Sequence, residues 1–163
     1  FLLGKYIGLV LNAAMLVSLM GIGLIIFTGF LEQRIDFSLF QGIYMVLLEI
    51  IIIAAVVIFF SSLVITVTLS GMFTFATYIA GRSIHYLKEF SQEGEFHNPL
   101  LAKIIIGFDT ILPDLSRMNY ADYIVNQVNI TLEQFGYATI YALCYAIVSL
   151  ILAIVIFKKR ELN

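Results

Sequence analysis

Residues 37 to 81 read FSLFQGIYMVLLEIIIIAAVVIFFSSLVITVTLSGMFTFATYIAG, and this stretch decides the fold. It carries one charge, Glu49, and from Ile50 to Gly81 it holds no Asp, Glu, Lys or Arg. As a single helix it would extend about 65 Å at roughly 1.5 Å per residue. A bilayer's hydrocarbon core is only roughly 30 Å thick, so the run predicts two membrane spans folded back on each other. The polar residues of Phe59-Phe60-Ser61-Ser62 place the expected turn there. The Ile and Val enrichment from Ile50 to Val57 would favour strand in water. In hydrocarbon only a helix or a closed barrel satisfies the backbone, and the alternation of a barrel strand is missing here.

Working outward, Tyr6 to Leu31 is charge-free between Lys5 and Glu32, and Gln134 to Phe157 is charge-free up to Lys158-Lys159-Arg160. Each is long enough for one span. The expected architecture is therefore all-α, a polytopic membrane helix bundle with four transmembrane helices, at about 6–31, 37–60, 62–81 and 134–157. A long outer loop, 82–133, holds both histidines and both prolines. Within that loop Leu100 to Leu112 is apolar but carries Lys103 and Asp109, which suits an interfacial or re-entrant helix. The basic stop at Lys158-Lys159-Arg160 marks the cytoplasmic side. With four spans both ends of the chain are then expected inside, the 62–81 span entering from a cytoplasmic turn.

Composition narrows the function classes. Of 163 residues, 61% are hydrophobic and 12% charged, with a mean hydropathy of +1.02. No soluble core hides so much apolar surface. A net charge of −2 counts against a nucleic-acid reader built on a basic face. One cysteine, Cys144, excludes a disulfide or a cysteine metal site within one copy, and it reads as a small buried hydrophobe. The chain opens on Phe1 rather than Met, and no basic n-region precedes a small-residue cleavage site. The expectation is one transmembrane domain that is part of a longer polypeptide.

Few residues offer chemistry. Glu49 lies about halfway along the second span, where an ionisable group costs several kcal/mol unless it meets a partner or water. It is a transport-path candidate; a protonated glutamate bonded to a neighbouring helix, or a shifted span, is the structural alternative. No basic residue lies within the spans, so its partner is expected in a segment missing from this sequence or in another subunit. Ser62, Thr66, Ser70, Thr74 and Tyr78 recur every four residues along the third span. The stripe, with Ser70 and Thr74 as further path candidates, either lines a polar path or bonds to its own backbone and glues helices; the second reading is favoured. In the last span Ala138, Ala142 and Ala146 make a smooth face for close packing, and Tyr137, Tyr141 and Tyr145 an aromatic ladder beside it. Ala14 to Ser18 has the small-xxx-small spacing of a close helix contact. His85 and His97 stand among Glu89, Glu93 and Glu95, but the spacing matches no helical metal motif, so no metal site is expected. Asn129-Ile130-Thr131 has the glycosylation pattern.

The opening Phe1-Leu2-Leu3-Gly4-Lys5-Tyr6-Ile7-Gly8 resembles the start of the third of six spans in the permease subunits of ABC-2 type transporters. Leu112-Pro113-Asp114-Leu115-Ser116-Arg117-Met118-Asn119-Tyr120-Ala121-Asp122-Tyr123 is similar to the stretch those permeases carry before their last span, with Asp114 where Asn is commoner. The ending Phe157-Lys158-Lys159-Arg160-Glu161-Leu162 is similar to the family's tail. Together these cover nearly the whole chain as spans three to six. The resemblance implies a bacterial inner-membrane permease that contributes a path and no catalysis. It implies a cytoplasmic ATP-binding subunit as partner, a second permease copy, Gly4 and Lys5 near the coupling surface, and no cofactor in this chain, with ATP held by the partner. The competing class is a structural subunit that anchors a larger membrane complex. An intramembrane enzyme ranks last, because Glu49 stands without a second catalytic group.

Overall fold

The computed structural model describes residues 1–32, 37–92, 112–115 and 131–161. These form four helices and, among the described residues, no strand: α1 (Leu2–Glu32), α2 (Phe37–Leu63), α3 (Val67–Gln92) and α4 (Leu132–Glu161). Three of them, α1, α2 and α4, are long and apolar enough to cross a membrane. In its described residues the chain is all-helical and of membrane character. The expectation of four such spans is met in three; α3 is long enough, but its stripe of Ser and Thr and the charge at Arg82 dilute its apolar character.

The boundaries follow local chemistry. Helix α2 runs through the expected turn at Phe59–Ser62 and ends at Leu63, and the chain turns at Val64–Thr66. Ser62 does not break the helix because its hydroxyl donates to the carbonyls of Ile58 and Phe59, at 3.2 and 2.7 Å. The break falls instead in Val64-Ile65-Thr66-Val67-Thr68, five consecutive β-branched residues whose restricted χ1 disfavours helix. Thr66 then accepts the first bond of α3 from the Ser70 amide (3.1 Å). At the far end α3 continues to Gln92, so residues 82–92 extend the helix rather than belonging to the loop. Helix α4 starts at a capping box: the Gln134 side chain accepts a bond from the Thr131 amide at 3.1 Å, a Thr-x-x-Gln signature.

Helix α2 is the hub, packing most extensively on α4, then on α1 and α3. Leu2 and Tyr6 of α1 pack beside Ala55 and Ile58, while Gly21 abuts Ile43, so α1 runs antiparallel to α2. Phe60 stacks on Phe73 and Glu49 meets Arg82, which makes α3 antiparallel as well. Helix α4 runs parallel to α2: Tyr44 meets Thr139 near one end, and Ala55 and Ile58 meet Ala146, Leu150 and Ala153 towards the other. Close approach of these two helices rests on the alanine face read from the sequence. Ala138, Ala142, Ala146 and Ala153 are all buried against α2, which answers with Ala55.

This arrangement sorts the chain ends. Phe1, Lys5, the Val64–Thr66 turn and Lys158-Lys159 gather at one end of the bundle. The ends of α1 and α3 and the starts of α2 and α4 gather at the other. There the short segment Leu112–Leu115 plugs the bundle: Leu115 and Pro113 are fully buried, Leu115 among Met45, Leu48, Ala138 and Ala142. Only glycine at 81 allows this, because a Cβ there would press into the Pro113 carbonyl. The interfacial or re-entrant helix expected over Leu100–Leu112, the His85/His97 group with its glutamates, and Asn129-Ile130 lie outside the described residues or side chains.

Candidate functional site

Glu49 has its partner within the chain. Arg82, just beyond the charge-free run, is carried back to it by the α2–α3 hairpin. Its Nη1 donates to Glu49 Oε1 at 3.2 Å and to Tyr78 Oη at 3.0 Å. The expectation of a partner in a missing segment or another subunit is thereby corrected. The two charges lie about equally far on either side of the Val64–Thr66 turn, and reading α3 as ending at Gly81 hid the match. Glu49 is shielded, its side chain 13% exposed, and Arg82 is 40% exposed. The guanidinium also lies 6.0 Å from the Tyr78 ring centroid, within reach of the ring's negative face. Buried alone, a carboxylate would be prohibitive; the antiparallel Arg supplies the opposite charge and the Tyr hydroxyl a second acceptor for it.

The plug segment borders this pair. The Asp114 amide donates to Tyr141 Oη of α4 at 2.8 Å, while Pro113 rests on Gly81 of α3, one residue before Arg82. Tyr141 also packs against Tyr145, ring centroids 6.2 Å apart, whereas Tyr137 is exposed. Near the start of α4, Tyr44 and Thr139 share a 2.9 Å bond. Thr139 spends its one proton on the Phe135 carbonyl (2.7 Å), which leaves Tyr44 as the donor.

The remaining candidates divide by placement. Ser70 and Thr74 are buried on the side of α3 that faces α2, and Thr74 donates to the Ser70 carbonyl at 2.9 Å. Ser62, also of the stripe, and Thr77, outside it, bond back to their own helices in the same way. Thr66 is exposed in the turn. Gly4 and Lys5 are exposed at the first turn of α1, and a Cβ on Gly4 would meet nothing within 4 Å. Among the described residues no cluster of three His, Cys, Asp or Glu side chains assembles.

One feature escaped the sequence reading. Helices α3 and α4 both pack on α2 without closing on each other, and between them runs a groove of about 460 Å³. Val56, Phe59 and Phe60 form its floor, Val148 and Leu152 one wall, and Thr77, Leu112 and Tyr141 its end towards the plug. Cys144 lines it and is exposed, correcting the expectation of a buried thiol. The groove arises because the alanine face of α4 is turned to α2, which rotates Cys144 and Val148 outward into the gap. No sequence period announces such a gap between helices that are not neighbours in the chain.

Comparisons with protein-family models, with curated proteins and with solved structures return no match for this chain.

Proposed function

We propose that this chain is the membrane-spanning part of an ABC-2 type transporter permease, forming a translocation path that a separate ATP-binding subunit drives. The observation that carries the reading is the Glu49–Arg82 pair, held within an otherwise charge-poor bundle. Ionisable groups at such depth are costly and mark paths and gates in membrane proteins. The charge layout supports the same reading. Lys5, Lys158 and Lys159 share the end that carries the Val64–Thr66 turn, which under the positive-inside rule is the cytoplasmic one. Gly4 and Lys5 in this reading face the ATP-binding partner, and the plug lies towards the outer side of a bacterial inner membrane. In this reading α3 crosses the bilayer as the fourth helix, its Ser and Thr shielded against α2.

The test is purification of the full-length protein in mild detergent, followed by mass spectrometry of what accompanies it. A stoichiometric ATP-binding subunit upholds the permease; several membrane subunits without one replace it with a structural, anchoring role. Within the permease reading, Glu49→Gln should impair transport while expression and assembly persist, and normal transport by that variant removes Glu49 from the path.

A further inference from the structure

We infer that the outward face of α1 binds a second copy of this chain, through a symmetric α1–α1 contact organised on Asn12. The inference rests on α1 crossing the membrane and stands whether or not an ATP-binding subunit accompanies the chain. Asn12 lies inside the apolar helix Leu2–Leu31, seven residues or about 10 Å inward of Lys5. Its side chain is exposed and has no hydrogen-bond partner among the described residues. A carboxamide carries two donors and an acceptor, and hydrocarbon answers none of them. Thr28 of the same helix settles its hydroxyl on the Leu24 carbonyl at 2.8 Å. Asn12 has no such outlet and asks for a partner beyond the described residues.

The surroundings of Asn12 suit a parallel helix. Asn12, Leu16, Leu19, Gly23, Ile26 and Phe30 are all exposed and alternate in steps of four and three residues. That 3.5-residue period keeps one seam facing a neighbour along about 27 Å of α1. The seam is turned away from the side whose Tyr6 and Gly21 meet α2. Gly23, where a Cβ would meet nothing within 4 Å, leaves room for close approach near its middle. One heptad before Asn12 the seam reaches Lys5, whose charge ends it at the membrane surface. Complementarity then selects a second copy. Two copies inserted in the same direction are related by a two-fold axis along the membrane normal, which sets each seam residue near its own counterpart. A side chain pairs with itself across that axis only if it both donates and accepts. Asn12 does: each amide N–H meets the other copy's carbonyl oxygen, positive partial charge to negative. A single Asn in such a seam fixes register and oligomer state. Interhelical bonds are modest in lipid, so the two reciprocal ones strengthen the dimer by about tenfold.

The experiment places the full-length chain, in a Cys144→Ser background, in phosphatidylethanolamine–phosphatidylglycerol vesicles at falling protein-to-lipid ratios. Under mild oxidation Leu19→Cys, in the seam, should cross-link to a covalent dimer. Its neighbour Met20→Cys should not, although Met20 is the more exposed, 74% against 67%. Energy transfer between chains labelled at Lys159→Cys gives the dissociation constant. Asn12→Leu should raise it by about tenfold, and Asn12→Gln, which keeps an amide, should recover most of that loss. At high dilution the unfolding midpoint of both variants should match the parent, which separates loss of association from loss of fold. Equal cross-linking at the two positions, or an unchanged dissociation constant in Asn12→Leu, overturns the proposal. A chain that stays monomeric at every ratio overturns it too, and would give the seam to a different membrane helix.

Discussion

Helix α1 buries none of its apolar window inside the bundle, whereas α2 buries 39% of its own, although both are charge-poor helices of membrane length. Hydrophobicity does not separate them, because in lipid an exposed Leu costs no more than a buried one. What separates them is shape and polarity. Helix α2 carries Glu49 and Ala55, and it meets partners that answer with Arg82 and a face of alanines. Helix α1 touches α2 mainly through Leu2, Tyr6 and the Gly21–Ile43 contact and presents Met15, Leu19 and Met20 outward. Centrality in this bundle is set by packing complementarity and one ion pair.

The contrast is broken most sharply at Ala142, whose side chain is wholly inaccessible between α2 and α4. Ala142→Leu forces two rigid helices apart and should destabilise by about 3 kcal/mol, the upper end of overpacking costs. The same bulk placed on α1 at Gly8, where a Cβ meets nothing within 4 Å, should cost nothing measurable. Detergent-denaturant titration of both variants checks the difference, and equal midpoints would mean that α4 does not depend on its alanine face.

The ion pair comes next. Arg82→Ala strands a shielded carboxylate; a fully buried pair broken this way costs about 3–5 kcal/mol, and the partial exposure of Arg82 reduces that to about 2. Glu49→Gln leaves a long cation able to reach towards the headgroups, so its cost should be about half as large. The asymmetry is the prediction. Equal losses from the two variants would show that neither charge is stranded by loss of the other.

These residues also show what the sequence could and could not reveal. The charge-poor runs that became α1, α2 and α4 were legible because hydrocarbon imposes one length and one backbone solution. The alanine face of α4 was legible for a related reason, since small residues at helical spacing have few other uses in lipid. The α2–α3 turn was misplaced because Ser61-Ser62 looks polar in sequence, yet Ser62 satisfies itself on the preceding turn of its own helix. Arg82 was missed as the partner of Glu49 because the pairing depends on the turn position and on α3 continuing past Gly81. The groove was invisible because it is made by what α3 and α4 fail to touch.

Glycine offers a smaller, paired test. Gly81→Ala drives a Cβ into the Pro113 carbonyl, a backbone atom with little room to yield, and should cost about 1–2 kcal/mol through displacement of the plug. Gly8→Ala on α1 meets open space and should stabilise by about 0.5 kcal/mol through helix propensity. Opposite signs in the same titration support the plug as part of the fold. A neutral Gly81→Ala would detach Leu112–Leu115 from it.

The smallest effect probes how α1 is held. Tyr6 donates to the Ile51 carbonyl at 3.1 Å, a bond to a backbone group already engaged in its own helix. Bonds between helices in lipid average about 0.6 kcal/mol, so Tyr6→Phe should shift the unfolding midpoint barely at all. Its effect should appear in distance rather than stability. Spin labels at Met15→Cys and Val46→Cys, in a Cys144→Ser background, report the α1–α2 separation. The distribution should broaden in Tyr6→Phe while a pair across α2 and α4 stays sharp, because α1 retains only apolar contacts and the Gly21–Ile43 approach. Broadening of both pairs would make α1 an equal member of the bundle, its exposure notwithstanding. No change in either would place its anchorage in Leu2 and Gly21, in packing and not in the hydroxyl.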